Sequence, residues 1–401
     1  MHIGIAGPVS TQSIRERLRD GGLSLPVGYQ GAPFMAALIG ELIGRGHDIS
    51  VFTTDRWLPH DTSEPVLVLG ERVRVYYCPQ RPRAYRFSGT TPGRILDLFR
   101  HERRHLARAI REDSPDVVHA HWTYEFALAA IESGKPHVIT AHDSPRRVLC
   151  YMPSVYRLGR YIMARQVLSK ARFVTAVAPY IKDELQRYSR ARISIVPNPL
   201  SRTLLDEEPV FAHPNQDFQR VSMVLNGWSK LKNAKAAFIA FAKLRRLLPG
   251  LRLSAIGFDF GPGEKAERWC ESEGVSEGVD FLGALPHTEV ISHLRRSCVL
   301  LHPALEEAHP MAVCEAMAIG LPVVAGKAAG GVPWLVGNEG AEGLADVADV
   351  ESIVRTTVRV LQHRHVWEKL SSAGRSRIRT LCDPGLVASA FEEIYRQALA
   401  Q

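Results

Sequence analysis

Several familiar signatures are missing from this sequence of 401 residues. No Cys-x-x-Cys pair occurs. Cys78, Cys150, Cys270, Cys298, Cys314 and Cys382 are scattered, which argues against a disulfide framework and a zinc site and for a reducing compartment. No Asp-x-Asp occurs, so a metal clamp built from paired acids has no support, and no metal or other cofactor is expected. No run reaches the roughly 18 apolar residues that a membrane-crossing helix needs. The chain opens on a buried-strand pattern, His2 to Gly7, with no charged leader before it. This reads as no signal peptide and a cytoplasmic protein, at most peripheral to a membrane. No low-complexity tract and no internal repeat appears.

What is present suits two ordinary domains, since the length exceeds one typical domain and 45% of the residues are hydrophobic. The formal charge of +8 favours an anionic partner such as a nucleotide or an acidic lipid surface. Nucleic acid is not expected, because the charge comes with no recognised binding motif.

The most informative stretch is Leu300 to Ala325, LLHPALEEAHPMAVCEAMAIGLPVVA. It reads as strand, loop, helix, tight turn and strand. Pro310 suits the first position of a helix, where its missing N–H costs nothing. Gly320 suits the left-handed residue that closes it, and Pro322 bars continuation. Glu307 lies in the loop and Glu315 in the helix, with seven residues between. Backbone N–H groups near His309, Pro310 and Met311 would sit at the positive end of the helix, a natural seat for phosphate. A surface helix with two solvated acids would give the same spacing alone.

The whole string resembles the Glu-x7-Glu segment of retaining glycosyltransferases of family 4, which have the GT-B fold. That resemblance implies an α/β protein of two Rossmann-like domains facing each other across a cleft, with a C-terminal helix crossing back to the first domain. It implies transfer of a sugar from a nucleotide diphosphate sugar to a glycan or lipid-linked acceptor, with retention at the anomeric carbon and a place in cell-envelope polysaccharide or glycolipid synthesis. A non-catalytic nucleotide-sugar or acidic-lipid binding module, and a GT-B phosphorylase or epimerase, are the alternatives.

Along the chain, residues 1–200 read as the N-terminal, acceptor-binding domain. A strand leads into a loop with Gly28 and Gly31, then a helix over about Pro33 to Arg45 and a second strand, Asp48 to Thr53. This order resembles the N-terminal unit of the family, where glycines let the loop approach sugar and phosphate; a plain turn would use them equally well. Arg81 to Arg111 is rich in arginine. From Pro92 it predicts a helix capped by Thr91, with Ile95, Phe99, Leu106 and Ile110 on one face. Arg100, Arg104, Arg108 and Arg111 fall on the other, suiting a solvated face or an anionic membrane surface, aided by Arg157 and Arg160. The His119-x-His121 pair invites a metal reading, but two histidines on one strand face need further ligands. The resemblance instead matches His142 to a catalytic histidine near the donor sugar.

Residues 201–219 read as a linker and 220–383 as the C-terminal, donor-binding domain; 384–401 form the returning helix. After the strand Val221 to Leu225 comes Gly227, with Lys230 and Lys232 following. Lys232 matches the family's lysine that stabilises the leaving diphosphate, and Lys230 could share the role because the loop is short. Trp228 stands where the family usually has an arginine, His309 where phenylalanine is usual, and Trp334 where an acid often follows a glycine loop. Gly283 is expected to let backbone near Phe281 approach the base. The expected site is therefore catalytic Glu307, Lys232 and His142, with Glu315, Gly227, Lys230, His309, Pro310, Met311 and Gly283 holding the donor.

Overall fold

The computed structural model describes residues 1–19, 25–29, 31–87, 91–209 and 219–401. The chain forms two compact units, Met1–Ser201 with Pro384–Gln401, and Arg202–Asp383. Each is an α/β unit around its own twisted, mostly parallel sheet.

Among the described residues the first unit has eight strands: β1 (His2–Ala6), β2 (Asp48–Asp55), β3 (Val66–Leu69), β4 (Val73–Pro79), β5 (Val117–His121), β6 (His137–Ala141), β7 (Val174–Ala176) and β8 (Ile193–Ile195). Their order is β3-β4-β2-β1-β5-β6-β7-β8, parallel except for the edge strand β3. The central strands are buried on both faces: every residue of Ile49 to Phe52 and of Val117 to Ala120 is buried, the polar Ser50 and His119 among them. The terminal helix Pro384–Leu399 packs on the helix Phe34–Gly44 and on β5 and β6. Its Tyr395 Oη lies 2.7 Å from His119 Nδ1, and its Glu392 pairs with Arg45 and His47 at 3.2 and 2.8 Å.

The second unit adds β9 (Arg220–Val224), β10 (Arg252–Ile256), β11 (Val279–Gly283), β12 (Val299–His302), β13 (Val323–Gly326) and β14 (Leu344–Ala345). All are parallel in the order β11-β10-β9-β12-β13-β14. The strand order reverses at β9, so β9 and β12 border the switch point where ligands bind in such sheets. The helix Ala234–Leu247 follows β9 and buries Ala237, Phe238, Phe241 and Leu244, one face at helical spacing. Each fully buried phenylalanine contributes roughly 1.5–3 kcal/mol of hydrophobic stabilisation.

Several local expectations change. The arginine-rich helix begins at Arg100, not at Pro92: a short turn, Arg94–Asp97, precedes Leu98 and Phe99, both left-handed at φ 53° and 60°. Burial of Phe99 and a bond from Arg100 N to Asp97 Oδ1 at 3.2 Å hold that break. The stretch read as a linker starts with a helix, Arg202–Asp206, whose Leu204 and Leu205 are buried; residues 210–218 of it lie outside the described residues. Pro310 sits one residue before the helix Met311–Ala318, with extended ψ of 112°. Two helices, Val350–Gln362 and Arg364–Leu381, fill a stretch to which the sequence reading assigns nothing.

Candidate active site

In the second unit the chemistry-bearing side chains collect at the carboxyl ends of β9 and β12. After β9 the chain turns at Gly227 (φ 88°) and makes a single 3-10 turn, Lys230–Lys232. Leu231 is buried beneath this turn, and its carbonyl accepts from Leu305 N at 2.9 Å. Asn233, left-handed at φ 53°, donates from Nδ2 to Pro303 O and Val347 O at 3.1 and 2.7 Å. These bonds fasten the lysine turn to the exit of β12. Lys232 thereby faces Glu307: Nζ donates to Oε1 across 2.6 Å. His302, the last residue of β12, brings Nε2 to 3.4 Å from the same oxygen. Gly331 N donates to Glu307 O at 2.8 Å, fixing the backbone as well.

Burial by itself pushes the Glu307 carboxyl up, but Lys232 and His302 outweigh it and bring it down to about 2. Glu307 is therefore an ionised carboxylate beside a positioned cation at neutral pH. Lys230, on the same turn, is exposed. Trp228 is drawn into an aromatic cluster with Phe238, Phe260 and Trp269, at centroid distances of 6.2, 5.9 and 5.6 Å. Its backbone N–H donates to Asp259 Oδ2 at 2.9 Å. The tryptophan thus builds the loop's apolar support and leaves Lys232 as the cation turned to Glu307.

Glu315 lies on the second turn of Met311–Ala318 and is buried. Its Oε1 is 2.9 Å from Nε2 of His287, the first residue of the helix His287–Arg295. The hydrogen bond to Glu315 raises the His287 pKa against the opposing effect of burial. Gly283, at the end of β11, has φ 70°, and an added Cβ would meet Gly261 Cα at 3.1 Å. The glycine thus permits close packing of two backbone loops. The ring of His309 is turned to Cys314 and Cys382, with Nδ1 3.6 Å from Cys314 Sγ and Nε2 3.8 Å from Cys382 Sγ. That leaves its backbone, with those of Pro310 and Met311, at the helix start.

The first unit holds its own candidates. His142 is buried after β6, its Nε2 2.9 Å from His121 Nδ1 and its ring stacked on Phe34 at 4.9 Å. Burial lowers the His121 pKa to about 3, so that ring is neutral. His119 is engaged by Tyr395 and by Thr140, at 2.7 and 2.6 Å. Gly28 (φ 72°) is required: a Cβ would lie 2.5 Å from Val9 O, and its N–H donates to Asp55 Oδ2 at 2.8 Å. Gly31 borders a cavity of ≈ 340 Å³ lined also by Tyr29, Trp122, Glu125, Asp143 and Arg160. Arg160 lies over the Tyr124 ring at 3.7 Å and 3.9 Å from Glu125. It is therefore part of this cavity and not of a basic exterior face, which corrects the expectation for it.

Sequence reasoning missed His287 and His302, although each had a signal: His287 follows Pro286 at a helix start, and His302 ends the strand before the Glu307 loop. It also missed the meeting of His309 with two cysteines, because Cys382 is far along the chain.

Comparison with known proteins covers both units. Residues 207–377 match the family described as glycosyl transferases group 1, and residues 32–203 match glycosyltransferase family 4. A phosphatidylinositol N-acetylglucosaminyltransferase component of Arabidopsis thaliana is 24% identical over 306 residues, 74% of this chain and 64% of that protein, so the match spans somewhat less than two thirds of that relative. A D-inositol 3-phosphate glycosyltransferase of Stackebrandtia nassauensis is 25% identical over 322 residues, 74% of this chain and 71% of that one. Among solved structures, sucrose-phosphate synthase from Thermosynechococcus elongatus superposes with a TM-score of 0.78 at 18% identity, over 100% of this chain and 99% of its own. Anabaena HepE in complex with UDP-glucose does so with 0.68 at 15%, over 99% and 100%.

Proposed function

The chain belongs to the group 1, family 4 glycosyltransferases, nucleotide-sugar-dependent transferases of GT-B fold, and from that premise we propose that it moves a hexose from a nucleotide diphosphate sugar to a glycan or lipid-linked acceptor with retention of anomeric configuration. The observation that carries the reading is the Lys232–Glu307 pair beside the start of Met311–Ala318. Phosphate of the donor sits at the helix start, where unpaired N–H groups and the helix dipole favour negative charge. Lys232 stabilises the charge that grows on the departing diphosphate, a preorganised cation needing no solvent reorganisation. Glu307 accepts hydroxyl hydrogen bonds from the transferred sugar, and Glu315, steadied by His287, accepts those of the ribose. Attack comes from the face the diphosphate leaves, and the departing phosphate oxygen takes the acceptor proton. Lys232 and the helix amides supply the charge that a metal ion supplies elsewhere, so no divalent ion is needed for this step.

In the first unit, the cavity bordered by Gly31 and Arg160 takes the acceptor, and His142, which the family resemblance matches to a catalytic histidine, keeps that role. Two relatives are named for inositol-linked acceptors, so inositol phosphate and phosphatidylinositol head an acceptor panel. A lipid-linked acceptor in envelope synthesis agrees with the surface of the first unit. Arg100, Arg104, Arg108 and Arg111 are exposed along one helix. The helix Val155–Lys170 exposes Val155, Leu158 and Ile162 at 65%, 47% and 41%. Apolar residues at that spacing with nearby arginines suit reversible docking on an anionic leaflet. Among the described residues no helix is long and apolar enough to cross a membrane. A panel of nucleotide sugars, followed for release of nucleoside diphosphate, tests the reading. One donor should be turned over; release from none, with a folded protein that still binds donor, would favour a binding module.

A further inference from the structure

His309, Cys314 and Cys382 bring one ligand atom each within 4.8 Å of the others, and all three residues are buried. The other buried cysteines belong to no such group among the described residues. His309 precedes the helix Met311–Ala318 and Cys314 lies in its first turn, while Cys382 caps the end of the helix Arg364–Leu381. The Nε2 atom of His309 is 4.0 Å from Cys314 Sγ and 3.8 Å from Cys382 Sγ. Bond lengths of about 2.0 Å to imidazole and 2.3 Å to thiolate give tetrahedral edges of about 3.5 Å for N···S and 3.8 Å for S···S. Both N···S separations stand within about half an ångström of that edge, and the two sulfurs lie within 4.8 Å of each other, so a small inward adjustment closes the three atoms on one ion.

We propose that His309, Cys314 and Cys382 form a binding site for one zinc(II) ion, separate from the sugar chemistry. Two thiolates and a neutral imidazole are the donor set that soft and borderline cations select over magnesium or calcium. Two thiolates also cancel the charge of a divalent ion, which an enclosed site requires. On binding, the two thiols lose their protons to solvent and two sulfur–metal bonds and one nitrogen–metal bond form. Three protein ligands leave a tetrahedral ion one further position. Because the site is enclosed, the ion is taken up as the unit folds. Its effect is to clip the start of the helix Met311–Ala318 to the end of Arg364–Leu381, fixing the backbone at Pro310 and Met311.

The full chain, expressed in zinc-supplemented medium and freed of any affinity tag, should carry about one zinc per protein by elemental analysis. Cobalt(II) supplied in place of zinc should give a thiolate-to-metal charge-transfer band. Cys382→Ser and His309→Phe should each lower metal affinity by about 10–100-fold or more, the loss known for removal of merely an outer partner. Cys150→Ser, at an exposed cysteine, should keep the metal. Should Cys382→Ser fail to fold, the wild-type metal content and cobalt spectrum still decide. Zinc far below one equivalent after supplementation, with no cobalt–thiolate band, would overturn the site. A Cys314–Cys382 disulfide found by peptide mapping of the freshly purified chain would overturn it as well.

Discussion

Lys232 Nζ donates to Glu307 Oε1 across 2.6 Å, joining two side chains 75 residues apart at the ends of neighbouring strands. Neither group is there for stability alone. A half-buried ammonium and a half-buried carboxylate would cost desolvation with little net gain if they met only each other. Placed at the start of a helix, the pair keeps a cation and an acceptor aimed at one spot before any ligand arrives. Replacing Lys232 with alanine should lower kcat/KM by about 100-fold, or about 3 kcal/mol of transition-state stabilisation. Lys230→Ala should stay within about threefold of the parent, since that lysine is exposed. The reverse ranking would move the leaving-group role to Lys230.

Glu307 and Glu315 should separate in steady-state kinetics. On the proposed assignment, Glu307→Ala removes an acceptor of the reacting sugar and leaves Lys232 without its carboxylate, so kcat should fall while donor KM changes little. On the same assignment, Glu315→Ala removes a contact to the part of the donor that does not react, so KM should rise with kcat largely kept. Parental kinetics in both variants would end the assignment.

The His287–Glu315 pair gives a pH signature. The folded-state pKa of His287 is raised by Glu315, above an unfolded value of about 6.5. A raised folded pKa contributes stability that is complete below the unfolded value and is lost as pH rises through the folded one. The melting temperature of the parent minus that of His287→Gln should therefore be larger at acidic than at alkaline pH. A difference that stays flat or grows with pH would mean that the pair carries no charge.

Catalysis should not respond to magnesium or manganese, and EDTA present during the assay should leave the initial rate unchanged. The enclosed thiolate–imidazole ion proposed above is not exchanged on that scale. Loss of activity in EDTA, restored by manganese, would place a metal at the diphosphate instead.

Much of the second unit is legible from local signals. Pro310, Gly320 and Pro322 bound a helix whose neighbours read as strands, and Gly227 with Lys232 follows a strand as the motif leads one to expect. What escapes is set by contacts distant in sequence. His287 reaches Glu315 from a helix 28 residues earlier, and no period in the sequence links them. Cys382 meets His309 across 73 residues, so scattered cysteines hide a cluster. Leu98 and Phe99 take left-handed backbone that only glycine or asparagine signals, because burial of Phe99 outweighs the local cost. Arg160 reads as one more surface arginine, yet packing over Tyr124 draws it inward. Trp228 departs from the family's arginine, and only the aromatic cluster around it explains the exchange.

The central claim, retaining transfer from a nucleotide diphosphate sugar at the Lys232–Glu307–Glu315 site, is tested most directly by proton NMR of the glycoside formed from the accepted donor and acceptor. The first product formed should have the same anomeric configuration as the donor, with one nucleoside diphosphate released per glycoside, and Lys232→Ala should form it about 100-fold more slowly. A product of inverted configuration, or transfer at an unchanged rate in Lys232→Ala, would contradict it.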